Sequence, residues 1–108
     1  MARKKNIKGI VRKFAKLLSR DIHVQKVILF GSYAHGHPHK YSDIDVAVVS
    51  PDLGKRNEMI EMSYLLKKAH EIDLDLEPHP YSPRELKHSE KGSFAYEIQR
   101  TGKIVYAA

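Results

Sequence analysis

Residues 43–49 read Asp-Ile-Asp-Val-Ala-Val-Val, and this short run constrains the chain more than any other. Its composition is that of a buried strand, yet it opens with two aspartates, which strands disfavour. Side chains alternate along a strand, so Ile44, Val46 and Val48 share one face, and Asp43, Asp45, Ala47 and Val49 share the other. Two carboxylates thus point the same way, roughly 7 Å apart. Without an offset they repel and raise each other's pKa. A divalent cation offsets that repulsion, and hard oxygen ligands on a rigid strand suit Mg²⁺ shared with a substrate phosphate.

The surrounding periodicities supply the rest of a small fold. Ile7, Ile10, Val11, Phe14, Leu17 and Leu18 recur at helical spacing and predict a helix over 6–19. Val24 and residues 27–30 form a β-rich apolar run that stops at Gly31-Ser32. A turn of helix and a loop are expected over 33–42. A second helix is expected over 56–70, with Met59, Ile60, Ser63, Leu66 and Ala69 as its buried stripe. Residues 71–77 alternate as a third strand, closed by Pro78 and Pro80. Ser82-Pro83-Arg84-Glu85 is a capping box with proline at the first helical position and starts a helix near 83–89. A further helix over 93–100 ends at Gly102, placed as a C′ residue, and 104–106 add a last strand. The expected fold is α+β, a small mixed sheet flanked by helices, in a single domain over 1–108.

Charge narrows the function classes. The chain of 108 residues carries +6 at neutral pH, which as a whole suggests a polyanionic partner. The first 20 residues hold eight basic side chains and no acid, whereas the other 88 hold 11 basic and 13 acidic ones. The basic character therefore belongs to the first helix and the body is mildly acidic. There is no cysteine, which excludes disulfides, thiolate zinc and cysteine nucleophiles and suits a reducing cytoplasm. No apolar run is long enough for a membrane span, and the basic start lacks the apolar stretch of a secretory signal. His35, His37 and His39 alternate in a proline-interrupted stretch, read as surface rather than as zinc ligands.

Two more features join the aspartate pair. Gly31-Ser32 between a strand and a helical turn suits a phosphate, because glycine admits close approach and the helix start offers free N–H groups. The expected third strand places Asp73 and Asp75 on one face, and either would complete a three-carboxylate cluster with Asp43 and Asp45. Such a cluster holds two metal ions for in-line displacement at phosphorus.

The pattern Gly31-Ser32, ten residues, then Asp43-Ile44-Asp45 resembles the minimal nucleotidyltransferase group of the DNA polymerase β-like nucleotidyltransferase superfamily. The local strings Leu29-Phe30-Gly31-Ser32-Tyr33-Ala34-His35-Gly36 and Ser42-Asp43-Ile44-Asp45 carry the likeness. So does the tail from Glu97 to Tyr106. The superfamily's third carboxylate lies in an Ile-Asp-Ile-x-Leu strand ahead of proline, which by resemblance points to Asp73. The resemblance implies transfer of a nucleoside monophosphate, AMP from ATP before other NTPs, with two Mg²⁺ (or Mn²⁺) ions. It implies that Gly31 and Ser32 bind the triphosphate, and that Asp43, Asp45 and Asp73 bind metal and carry catalysis. It further implies a small helical HEPN-type partner, a toxin silenced by AMP transfer to a tyrosine, with this chain as antitoxin. His35 stands where many members have arginine. The alternatives are a partner-binding protein of the same fold without turnover, and an enzyme acting on nucleic acid through the basic helix.

Overall fold

The computed structural model describes residues 6–31, 34 and 43–108. The elements run α1 (Ile7–Leu18), β1 (Lys26–Phe30), β2 (Ile44–Val49), α2 (Glu58–His70), β3 (Leu76–Tyr81), α3 (Pro83–Lys87), α4 (Phe94–Thr101) and β4 (Lys103–Ala107). Four strands form one mixed sheet in the order β3-β2-β1-β4. β1 is antiparallel to both β2 and β4, and β2 is parallel to β3. A parallel pair needs a crossover, which α2 provides. The architecture is the expected α+β arrangement. Among the described residues, no helix is long and apolar enough to cross a membrane.

The alternation in β2 divides the interior into two layers. Ile44, Val46 and Val48, with Val27 and Leu29, pack against Phe14 and Leu18 of α1 and Leu65 and Ala69 of α2. Ala47 and Val49, with Ile28 and Phe30, pack against Leu86 of α3 and Ile98 of α4. Asp45 belongs to this second face, at the end where the apolar cover stops.

α1 follows the expected stripe: Val11, Phe14, Ala15 and Leu18 are buried, while Lys8, Arg12, Lys13 and Lys16 face out. Asn6 caps it by accepting the Gly9 N–H at 3.1 Å. The capping box of α3 forms as read, with the Ser82 and Glu85 side chains each accepting the other's backbone N–H.

Three expectations are corrected. The third strand lies at 76–81, not 71–77. Residues 71–75 make the turn out of α2, where Asp73 Oδ1 accepts the Asp75 N–H at 2.8 Å and Leu74 is exposed. Pro78 and Pro80 sit inside the strand because β3 is an edge. The Ile44 N–H bonds the Asp75 carbonyl and the Ser50 N–H bonds the Tyr81 carbonyl, so the odd-numbered residues turn their backbone toward β2. The prolines lie on the outward side, where the missing N–H costs no ladder bond.

The stripe of α2 is also displaced. Glu61, Leu65 and Ala69 are buried, while Met59, Ile60 and Leu66 are exposed. Glu61 goes inside because its carboxylate accepts the Gly54 N–H at 2.9 Å and the Lys55 and Arg56 N–H groups at 3.4 and 3.3 Å. Gly102, finally, has extended rather than left-handed backbone (φ −71°, ψ 158°). A Cβ there would strike Ile28 and the Ile98 carbonyl, so glycine is needed for close passage of the chain over β1. Ser32, His35 and the expected helical turn and loop over 33–42 lie outside the described residues, except Ala34, whose N–H donates to the Gly31 carbonyl at 3.1 Å.

Replacing Glu61 removes the acceptor for a turn of backbone. Glu61→Ala is expected to cost about 2–3 kcal/mol, as for hydrogen bonds to a charged group, and Glu61→Gln less because one oxygen remains. Urea unfolding of the two variants checks the order.

Candidate active site

β2 and β3 are in register with Asp45 opposite Glu77 and Ala47 opposite His79. In parallel strands opposite residues face the same way, so Asp45, Glu77 and His79 emerge together on the α4 side of the sheet. One ligand atom from each lies within 4.8 Å of the others. Asp43, just before the first residue of β2, is exposed, and its carboxylate is near enough to raise the Glu77 carboxyl. His79 Nε2 stands 3.9 Å from Asp45 Oδ1, and its ring lies against Phe30 at 5.3 Å between centroids.

Gly31 closes the group from β1, whose last residue, Phe30, pairs with Asp45. Its φ is +75°, and a Cβ built there would lie 2.5 Å from Asp45 Oδ2. Only glycine satisfies both the left-handed backbone and that approach. The backbone of the expected phosphate loop thus begins in contact with the carboxylate.

Among the described residues, the site is short of positive charge. Two like charges 4.8 Å apart repel by about 3 kcal/mol at an effective dielectric near 20, before solvent screening. Burial raises the Glu77 carboxyl above its ordinary value, and the hydrogen bond and charge of Asp43 and the charge of Asp45 add to this. Burial also raises Asp45, with Asp43 adding and His79 opposing. Burial lowers His79, although Asp45 pulls it the other way. The imidazole is therefore held toward its neutral form and does not supply the missing charge. A divalent cation fits this donor set: clustered carboxylates, two of them raised, and an imidazole turned toward one of them.

Of the residues expected at the site, the structure brings Asp43, Asp45 and Gly31 together. Ser32 lies outside the described residues. Asp73 precedes β3 and is not among the grouped ligand atoms, and Asp75 is in the same turn. The acid that faces Asp45 is Glu77, four residues beyond Asp73. Glu77 and His79 do not stand out in the sequence because Pro78 and Pro80 read as the end of the strand. The signal was present, since Leu76-Glu77-Pro78-His79-Pro80-Tyr81 alternates strictly and its buried members are leucine and the two prolines.

Comparisons with known proteins bear on the family and the fold. The sequence profile of the polymerase beta nucleotidyltransferase family matches residues 12–108. The protein adenylyltransferase MntA of Shewanella oneidensis is 40% identical over 65 residues, 59% of this chain. The matched part spans 47% of the length of MntA. Two solved structures of toxin–antitoxin assemblies contain a similar chain. One, with AMP-PNP, superposes at a TM-score of 0.61 with 28% identity, covering 94% of this chain and 73% of that one. The other, a tri-AMPylated Shewanella oneidensis HEPN toxin with its MNT antitoxin, superposes at 0.55 with 26% identity, covering 94% and 73%.

The raised Glu77 carboxyl has a consequence for stability. With a folded pKa above the ordinary 4.5, the folded state binds this proton more tightly than the unfolded one. The resulting stabilisation is complete below the ordinary value and is lost as pH rises through the folded value. Metal-free Glu77→Gln is therefore expected to melt above wild type at pH 7. The difference should disappear near pH 4, and thermal melts across that range check it.

Proposed function

The chain belongs to the polymerase beta nucleotidyltransferase family, and from that premise we propose that it transfers AMP from ATP to a tyrosine hydroxyl on a HEPN-type toxin, acting as its antitoxin. The observation that carries the chemistry is the parallel register that sets Asp45 against Glu77, with Asp43 beside them and Gly31 against Asp45. The similarity to MntA and to an AMPylated toxin complex supports the choice of AMP and of the partner.

Asp43, Asp45 and Glu77 would hold Mg²⁺, or Mn²⁺ in its place; when bound, the ion neutralises phosphate charge and polarises the reacting oxygens. Gly31, with Ser32, binds the triphosphate through backbone N–H groups brought close by the missing side chain. Glu77 is the third carboxylate in place of Asp73, and it receives the proton of the acceptor hydroxyl. The acceptor oxygen forms a bond to the α-phosphorus as the bond to the bridging oxygen breaks, and pyrophosphate leaves. His79 orients Asp45 from within the sheet. Catalysis of this kind rests on positioning and on offsetting charge.

The test is incubation of the chain with α-labelled ATP, Mg²⁺ and its HEPN partner. Labelled partner is expected, and Asp43→Asn with Asp45→Asn should lower labelling about a hundredfold or more with the fold intact. Gly31→Ala should do the same by displacing Asp45. Glu77→Gln should abolish labelling whereas Asp73→Asn should spare it; the reverse result returns the third carboxylate to Asp73. Tight partner binding without any label would defeat the enzymatic reading.

A further inference from the structure

Phe94 opens α4 and is 58% exposed, although the helix buries Ile98 and is capped by Ser93 without it. The ring is nevertheless held in place. It stands edge-on to Phe30, with centroids 5.3 Å apart and planes at 83°, and 6.0 Å from His79 with planes at 71°. Phe30 and His79 also meet each other, so the three rings form a closed group. Phe30 is buried, and Phe94 is the member that keeps a large open surface. Because His79 Nε2 is 3.9 Å from Asp45 Oδ1, one imidazole separates that surface from the carboxylates.

Reach decides what such a ring serves. A phenol whose hydroxyl hydrogen-bonds the carboxylates at about 2.7 Å places its own ring only one C–O bond and one ring radius further away. Ring pairs interact at centroid separations of about 4.5–7 Å, and a single imidazole lies between Phe94 and Asp45. A serine or threonine hydroxyl brings no ring. A nucleobase is set back from the α-phosphorus by the whole ribose, so its ring lies further from the carboxylates than an acceptor phenol does.

We propose that Phe94 is a positioning and specificity-determining residue that packs against the aromatic ring of the acceptor, so that a phenolic hydroxyl is selected over an aliphatic one at the Asp45–Glu77 cluster. The inference rests on the proposed transfer to tyrosine and adds the residue that makes the choice.

The experiment titrates N-acetyl-tyrosinamide, N-acetyl-serinamide and adenosine into the isotope-labelled full chain with Mg²⁺ and a non-hydrolysable ATP analogue, followed by amide NMR shifts. N-acetyl-tyrosinamide should shift the amides around Phe94 and His79, and the other two probes should not. Phe94→Ala should weaken its binding about three- to tenfold, the span expected for one aromatic pair. Phe94→Trp should restore it, and affinity for the ATP analogue should stay unchanged in both variants. Shifts elsewhere report whether either variant disturbs the fold. Four results overturn the proposal: no binding of N-acetyl-tyrosinamide, equal binding of the serine probe, an unchanged affinity in Phe94→Ala, or a loss confined to the ATP analogue, which would assign the ring to the nucleobase. The readout needs no turnover, so absent AMP transfer with this binding intact would count against the proposed function alone.

Discussion

The parallel pairing of β2 with β3 is the constraint on which the rest of the site depends. One register places Asp45 beside Glu77 and, one pleat on, Ala47 beside His79. A slip by a single residue would turn Glu77 and His79 into the layer beneath α1 and α2 and bring Leu76 and Pro78 out. That slip is opposed by the buried Leu76 and by the prolines, which tolerate only the orientation facing away from β2. The same residues that look like strand breakers therefore hold the register that assembles the acids.

The two faces of the sheet divide the labour. The face under α1 and α2 is apolar along its whole length and supplies most of the core. The face under α3 and α4 is apolar only over part of the sheet and then opens onto Asp43, Asp45 and Glu77. Gly31 and Gly102 let backbone pass close to this sheet, the first against Asp45 and the second against Ile28. Partial burial then shapes the chemistry of the cluster: it raises Asp45 and Glu77 and lowers the His79 imidazole, which favours an added cation.

Much of this was legible in the residues because it is local. The alternation of 43–49, the stripe of α1 and the capping box of α3 each lie within a few residues and were read correctly. The readings that failed depended on partners distant in the chain. Met59, Ile60 and Leu66 looked like the inner face of α2, but the outcome turned on whether Glu61 could find backbone N–H donors, which the preceding loop supplies. The alternation of 72–76 looked like a strand, but the chain needs those residues to turn out of α2.

By itself, then, the sequence determined an α+β chain with a carboxylate pair at the head of a buried strand, behind a glycine that can approach an anion. Those properties follow from side-chain alternation and backbone sterics, which act between near neighbours. Tertiary structure decided which third acid meets the pair, that His79 and the ring of Phe94 stand beside it, and that two prolines belong in a strand. Each of these depends on strand order and register, since an edge position and a residue's partner across a ladder exist only once the sheet has formed.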